Sequence, residues 1–224
     1  MDMDFHALMQ QCAPEVHPET MAKVVRVESS FNPYAIGVVG GALERQPRTK
    51  EEAIVTAQAL DKAGWNFSVG IGQVNKYNLP KFGLPLTEAF DSCKNLAVGA
   101  KILSDCYQRA SSAGITPGQP ALEAAFSCYY SGNFRRGFVP DAPGQPSYVQ
   151  KVLASAGQEA KPIVAQEAKP IAVVPATGKP ATTNGIARPA DAQGVKTRPT
   201  RIPAKYDGFS NEPETNGFAE PTKS

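Results

Sequence analysis

The stretch VVRVESSFNP, Val24 to Pro33, places one carboxylate, Glu28, among apolar residues just before a predicted helix end. In a helix that begins at Pro18, residues three and four positions apart share a face, and Glu28 lies on the extension of an apolar stripe. The stripe consists of Met21, Val24 and Val25. Proline suits a first helical turn, whereas the proline that closes the stretch forces the residue before it out of helical backbone. The helix is therefore predicted to end near Ser29 or Ser30, with Glu28 pointing toward the core side.

Glu28 has the setting of a general acid. Apolar neighbours at a helix end shield a carboxyl group from water, and desolvation penalises its charged form. A carboxyl group kept neutral in this way can donate a proton to a substrate. The alternative is a structural carboxylate that caps a nearby loop or pairs with an arginine such as Arg26. This window of sequence leaves both interpretations open.

Composition divides the chain into two parts. With 224 residues, 42% of them hydrophobic, the chain can bury one sizeable core. The segment Gln158–Ser224 contains nine prolines and only three aromatic residues, so it cannot offset its ordering entropy by burial and is predicted to be a disordered tail. Near its start the hexapeptide QEAKPI occurs twice, which is typical of a semi-extended linker. Residues 1–157 are predicted to form a single domain with balanced charge, which indicates no nucleic-acid partner.

The N-terminus and the lack of a long apolar run bear on localisation. No stretch is long or apolar enough to predict a transmembrane segment. The first ten residues, MDMDFHALMQ, carry acidic residues where a secretory signal is basic, and they lack an apolar run. Taken alone, this start predicts a cytoplasmic protein.

Four cysteines, at positions 12, 93, 106 and 128, qualify that prediction. They lack the CxxC spacing of a zinc site or redox motif, and their even number allows disulfides in an oxidising compartment. If Cys93 and Cys106 share one helix, they lie about 20 Å apart along it, too far to bond to each other. Two pairings remain: Cys12–Cys93 with Cys106–Cys128, or Cys12–Cys106 with Cys93–Cys128. We favour the first, and four free thiols remain the alternative.

The periodicity of the first 157 residues predicts a mostly helical domain. Apolar residues recur three and four positions apart from Asp91 to about Ala113, and Gly114 ends that helix. Thr49 and Glu52 have the spacing of a capping box at the start of an earlier helix that stops near Gly64. Further helices are predicted at Ala121–Ser131 and from Ser147 to about Ala156.

The segments between these helices contain many glycines. Ile36–Gln46, IGVVGGALERQ, is expected to form a small hairpin or a loop. Trp65–Asn78 is expected to be a loop with at most short strands. The predicted fold class is therefore α+β, mostly α, in a single domain that is followed by the proline-rich tail.

Four motifs in order resemble those of the soluble lytic transglycosylase domain. They are ESSFNPYA (Glu28–Ala35), GIGQV (Gly70–Val74), FDSCKNLAVGAKIL (Phe90–Leu103) and CYYSGNF (Cys128–Phe134). The resemblance covers about residues 5 to 156 and is greatest to the transglycosylases encoded with type IV secretion systems. It implies a lysozyme-like fold and an enzyme that cleaves the glycan strands of peptidoglycan.

The same resemblance assigns roles to individual residues. Glu28 matches the family's catalytic acid and base, and Ser29 follows it as in the family's Glu-Ser pair. Gln73 matches a glutamine that contacts substrate, and Tyr129 matches a tyrosine that hydrogen-bonds near the acid. Two positions match residues that pack and cap the long helix, which implies a structural role: Asn95 and Gly99.

Three positions depart from the family pattern. Gly72 stands where the family has methionine, Tyr130 where it has asparagine, and Gly37 where it has serine. Sugar contacts near the cleaved bond are therefore expected to differ, with Tyr130 as a candidate for one of them. Ser68 is a second candidate, because it precedes the GIGQV motif and could supply the missing hydroxyl. The longer Val38–Phe67 region is expected to be an elaboration at the edge of the cleft.

The number of available carboxylates decides between mechanisms. Most glycosidases use two carboxylates, whereas here only Glu28 has an apolar helix-end setting. The other acidic residues of the domain have ordinary roles as caps, helix starts or solvated charges. Resemblance implies that the substrate supplies the second function: Glu28 protonates the glycosidic oxygen and then accepts the proton of the sugar's own 6-hydroxyl. The product is a 1,6-anhydromuramic end, formed without metal or cofactor.

Two other functions remain as alternatives. One is a hydrolytic lysozyme of the same fold, in which an acidic residue of the Val38–Phe67 region holds a water. The other is a secretion-apparatus protein with a vestigial enzyme domain, whose tail recruits type IV secretion components. Because peptidoglycan lies outside the cytoplasmic membrane, the resemblance implies the periplasm, against the cytoplasmic prediction from the N-terminus.

Overall fold

A computed structural model describes residues 5–155 and 171–175 of the chain. Its α-helices are α1 (Phe5–Cys12), α2 (Pro18–Ser29), α3 (Lys50–Lys62), α4 (Ser92–Ser112), α5 (Gln119–Ser131) and α6 (Tyr148–Ala154). Short 3-10 helices cover Leu79–Phe82 and Arg136–Phe138. The strands are β1 (Ile36–Val38), β2 (Gly41–Leu43), β3 (Phe67–Val69), β4 (Val74–Asn75) and β5 (Val173–Pro175). The predicted class, a mostly helical α+β domain with little sheet, is confirmed.

Local chemistry sets the ends of the helices. Helix α2 starts with Pro18 in its first turn and is followed by Ser30 in left-handed backbone, with φ 53°, which stops it where predicted. Thr49 caps α3 by accepting a hydrogen bond from Glu52 N at 3.1 Å. The Glu52 carboxylate binds Arg45 and Arg48 N instead of completing the capping box. A complete capping box forms at α6, between Ser147 and Gln150.

Helix α4 holds the N-terminal helix and α5 together. Asp91 caps it by accepting from Lys94 N at 3.0 Å, and its buried face includes Leu96, Ile102 and Leu103. The disulfide Cys12–Cys93 joins α1 to the start of α4, and Cys106–Cys128 joins α4 to α5. The favoured pairing is thus confirmed, and the alternatives of crossed pairing and free thiols are wrong.

The Ile36–Gln46 segment contains two strands, but they do not form a hairpin with each other. Strand β1 pairs antiparallel with β3, placing Ile36 opposite Val69, and β3 pairs with β4. Strand β2 pairs with β5. Pairing with β3 joins the buried side chain of Ile36 to those of Phe67 and Val69, which are both 0% exposed, so burial explains why β1 turns toward β3.

Strand β5 comes from the segment that composition assigns to the tail. Ile171 N donates to Thr56 Oγ1 at 3.3 Å, and Glu44 N donates to Ala172 O at 3.1 Å. The side chains of Ile171 and Val173 are buried in the core. The prediction of disorder is therefore wrong for residues 171–175, because an average over 67 residues hides one short apolar run. Residues 156–170 and 176–224, and with them the predicted boundary at 157, lie outside the described residues.

Within residues 5–155 and 171–175, no helix is both long and apolar enough to cross a bilayer.

Candidate active site

Glu28 lies in the last turn of α2 with its side chain half-buried. The Tyr148 hydroxyl, at the start of α6, donates a hydrogen bond of 2.7 Å to Glu28 Oε1. Tyr148 is 5% exposed, and burial, followed by the nearby Glu28 charge, raises its pKa well above the usual value. The phenol therefore stays protonated and donates to the carboxyl group.

Ser29 connects the end of α2 to the loop at residues 70–73. Its hydroxyl donates to Ile71 O at 2.7 Å. Arg26, the alternative partner for Glu28, places its guanidinium 4.9 Å from the centre of the Phe31 ring. The two adjacent residues thus have different roles. Glu28 presents a carboxyl group, and Ser29 fixes the turn that carries it.

The loop is fixed from the other side by Asn95 and Tyr129. Asn95, fully buried on α4, accepts from Gly72 N at 2.7 Å and donates to Val69 O and Ala89 O. The Tyr129 hydroxyl donates to Gly72 O at 2.6 Å. Asn95 is structural, as predicted, but it binds the loop and does not cap the long helix. The cap of α4 is Asp91. Tyr129 thus binds the loop that also contacts Ser29, the neighbour of Glu28.

A side chain at position 72, where the family has methionine, would crowd the contacts that hold this loop. A Cβ there would lie 3.1 Å from Asn95 Oδ1 and 3.2 Å from the Tyr129 hydroxyl. Gly99, on α4, is under the same restriction, because a Cβ would approach the Tyr129 hydroxyl to 3.0 Å. Both glycines therefore make room for the tyrosine that holds the loop.

Gln73 is 7% exposed and ties the loop to the segment before β1. Its Nε2 donates to Ala35 O at 2.9 Å and to Gly70 O at 3.0 Å. Its backbone has φ 49°, a left-handed conformation that costs energy for a residue other than glycine. Gln73 is thus held in a strained position by its own side chain.

Ser68 lies on β3, where its hydroxyl accepts a 3.5 Å hydrogen bond from Asn75 Nδ2. It is 1% exposed and directly opposite Gly37 in the β1–β3 pair, so both residues face the same side of the sheet. On that side, a Cβ at Gly37 would lie 2.7 Å from Gln73 Oε1. A side chain at position 37 would therefore require the end of the Gln73 side chain to shift, and Ser68 lies directly across the strand pair from that position.

Tyr130 packs its ring on Tyr148, with the ring centres 4.5 Å apart and the planes 13° from parallel. Its hydroxyl donates to Asp141 Oδ1 at 2.8 Å. Burial, and then the bond to Asp141, raises the pKa of Tyr130 to about 12. Desolvation acts to raise the pKa of Asp141, but the hydrogen bonds from Tyr130 and Arg136 outweigh it and lower that pKa.

Two carboxylates of the Val38–Phe67 region, Glu52 and Asp61, are engaged in ion pairs. Glu52 is 2% exposed and paired with Arg45, whose hydrogen bond lowers the pKa of Glu52. Asp61 pairs with Lys76 at 2.8 Å. Among residues 5–155 and 171–175, the structure contains no cluster of His, Cys, Asp or Glu that could hold a metal ion.

A separate groove of about 510 Å³ runs along the segment after β4. Tyr77, 50% exposed, stands at its side, and the Lys76–Asp61 pair lies at its edge. Its other lining residues are Leu79, Pro80, Gly83, Leu84, Pro85 and Leu86. Glu28 and the loop at residues 70–73 lie outside this lining.

Tyr148 is the site residue that the motifs did not reveal. The sequence predicts a helix at this point, but its hydrogen bond to Glu28 spans 120 positions in the chain. Only the packing of α6 against α2, which Ser155 Oγ supports by donating to Lys23 O at 3.1 Å, brings the two side chains together. Asp141, which binds Tyr130 and Arg136 over only 11 and 5 positions, also lies outside the four motifs.

Residues 6–141 match the family described as Transglycosylase SLT domain. The chain belongs to this family. The match ends before Tyr148, so the hydrogen-bond donor to Glu28 lies beyond the matched SLT range.

This chain is similar to proteins named virB1. It is 63% identical over 160 residues to the type IV secretion system protein virB1 of Brucella abortus (strain 2308), which covers 71% of this chain and 67% of the relative. The protein of the same name from Brucella suis biovar 1 (strain 1330) is 51% identical over 220 residues, 98% of this chain and 89% of the relative. Protein virB1 of Agrobacterium fabrum (strain C58) is 31% identical over 165 residues, 73% and 63% of the two chains. No solved structure matches the chain.

Proposed function

We propose that the protein is a peptidoglycan lytic transglycosylase that cleaves the β-1,4 bond between N-acetylmuramic acid and N-acetylglucosamine, with Glu28 as its acid and base. The observation that carries this proposal is the 2.7 Å hydrogen bond from the Tyr148 hydroxyl to Glu28 Oε1. Family membership supports the reaction class. The half-buried position of Glu28 at a fixed helix end supports its role.

The hydrogen bond gives the two oxygens of Glu28 different roles. Because Tyr148 directs its proton at Oε1, the proton of the neutral acid belongs on Oε2. A general acid must hold its proton within hydrogen-bond reach of the leaving oxygen. Tyr148 thus sets the orientation of the acid, and Ser29 fixes the helix end from which it projects.

The reaction proceeds in two proton transfers. Glu28 gives its proton to the glycosidic oxygen as the bond from that oxygen to C1 of the muramic residue breaks. The N-acetyl group of the same sugar stabilises the positive ring carbon. The 6-hydroxyl then forms a bond to C1 and passes its proton to the Glu28 carboxylate. The enzyme regains its starting state, and the product carries a 1,6-anhydro ring without consuming water.

The loop at residues 70–73 forms the substrate-facing wall in this proposal. Gln73 contacts the sugar, as its family counterpart does, while Tyr129 and Ser29 hold the loop in place. Ser68 and the ring of Tyr130, whose hydroxyl already binds Asp141, are the further candidates for sugar contacts that depart from the family pattern. The strained backbone at Gln73 is the type of cost that functional positions carry.

The proposed setting is the periplasm. Two disulfides in this small domain are typical of an oxidising compartment, and the relatives are named as type IV secretion system proteins. We infer that local cleavage opens the cell wall for assembly of a secretion apparatus. The C-terminal tail is a candidate contact for components of that apparatus.

Mass spectrometry of muropeptides released from isolated sacculi tests the proposal. The wild type should release products with 1,6-anhydromuramic ends, and Glu28→Gln should release none while keeping the melting temperature of the domain. Reducing ends from the wild type would support the hydrolytic alternative. Release by Glu28→Gln would refute the assignment of the acid, and an inactive wild type would favour the vestigial-enzyme alternative.

A further inference from the structure

Tyr148 depends on its neighbours for its orientation. It is the first residue of α6, a helix of seven residues, so its own helix provides few contacts to hold the ring. One face of the ring is covered by Tyr130 from the last turn of α5, in a stacked geometry with ring centres 4.5 Å apart. Tyr130 therefore limits how the Tyr148 ring can tilt relative to Glu28.

Tyr130 is itself held by an ion pair in the connection between α5 and α6. Its hydroxyl donates to Asp141 Oδ1 at 2.8 Å, and Arg136 Nη2 donates to the same oxygen at 2.5 Å. Arg136 Nη1 also donates to Val139 O at 2.7 Å. The Arg136 guanidinium lies 5.8 Å from the centre of the Tyr130 ring, close enough for a cation–π contact.

We propose that Tyr130 is a positioning residue, held by Asp141 and Arg136, which keeps the hydroxyl of Tyr148 directed at Glu28. This inference rests on the proposed function, because the effect on the reaction passes through Glu28. It gives a role to the position where the family has asparagine. Asparagine offers no ring to stack on Tyr148, so this device belongs to chains with a second tyrosine here.

The geometry predicts which kinetic constant changes. Loss of the Tyr130–Asp141 bond frees the ring to move, and small misplacements of a catalytic group lower the rate of the chemical step strongly. Tyr130→Phe, which keeps the stacked ring, should lower kcat about tenfold and leave KM within about twofold. Asp141→Asn leaves both rings in place and should lower kcat less.

A double-mutant cycle with Tyr148→Phe separates positioning from general stability. If Tyr130 acts through the Tyr148 hydroxyl, Tyr130→Phe should change kcat no further once that hydroxyl is absent. Asp141→Asn should lose its effect in the same background. The matched control is Tyr107→Phe, which removes a hydroxyl that accepts a 3.0 Å hydrogen bond from Gly118 N and should leave kcat unchanged.

Turnover of soluble glycan strands is measured for these variants and for Glu28→Gln, with melting temperatures alongside. The proposal is supported if the Tyr130→Phe effect disappears in the Tyr148→Phe background. It is overturned if the effects of Tyr130→Phe and Tyr148→Phe on kcat multiply in the double variant. It is also overturned if Tyr130→Phe has the same kcat as the control Tyr107→Phe. Activity of the Glu28→Gln enzyme would overturn the proposed function. If Glu28→Gln is inactive but the effects of the two tyrosine variants multiply, only the role of Tyr130 is overturned.

Discussion

Strand β5 should contribute measurably to the stability of the SLT domain, although it lies far along the chain. Val173 is 3% exposed and faces Leu43, which is 9% exposed. Val173→Ala removes two buried methyl groups, worth about 0.8 kcal/mol each, so the free energy of unfolding should fall by about 1.6 kcal/mol. Any cavity left behind adds to this loss.

Urea unfolding of the oxidised full-length chain measures this effect. The matched control is Val139→Ala, because the Val139 side chain is 55% exposed and should change stability by less than about 0.5 kcal/mol. If the strand detaches from the domain once it is weakened enough, its remaining contacts no longer count. The double variant Ile171→Ala with Val173→Ala should then lower the free energy of unfolding by less than the sum of the two single changes. Equal stability of Val173→Ala and Val139→Ala would refute the role of β5 in the core.

Three other changes give distinct outcomes. Replacing both Cys106 and Cys128 with alanine, which opens a link of sequence separation 22, should lower the free energy of unfolding by about 3.4 kcal/mol in guanidinium titrations; equal midpoints would contradict this. Glu52 has a lowered pKa in the folded state because of Arg45, so its stabilisation is complete above the unfolded value of about 4.3 and is lost as the pH falls through the lower folded value. Glu52→Gln should therefore flatten the acid side of a stability–pH curve, and an unchanged curve would argue against the pair. Ser68→Ala should lower the rate of glycan cleavage, and full activity would remove Ser68 from the site.

Local signals in the sequence predict helices α2 to α6 because the determining chemistry is close in the chain, whereas α1 is not predicted. Pro18 and the Asn-Pro pair bound α2, Asp91 and Gly114 bound α4, and Thr49 caps α3. Helical geometry also excludes a Cys93–Cys106 bond. Such features depend on a few neighbouring residues and are visible without the fold.

The pairing of strands and the surroundings of Glu28 depend on contacts between distant segments. A pattern that allows a hairpin at residues 36–46 cannot tell that β1 pairs with β3 and β2 with β5. Strand β5 is hidden because the composition of its surroundings is typical of disorder. Tyr148 is ordinary in its local sequence, and only the packing of α6 brings it to Glu28.

The most direct test of a one-carboxylate mechanism is the source of oxygen at the new glycan end. Digestion of sacculi in heavy-oxygen water, followed by mass spectrometry, distinguishes attack by the sugar's own 6-hydroxyl from attack by water. Transfer through Glu28 alone predicts anhydro products that carry no solvent label. Reducing ends that have taken up heavy oxygen would contradict the account, because water, and not the sugar's 6-hydroxyl, would then have attacked C1.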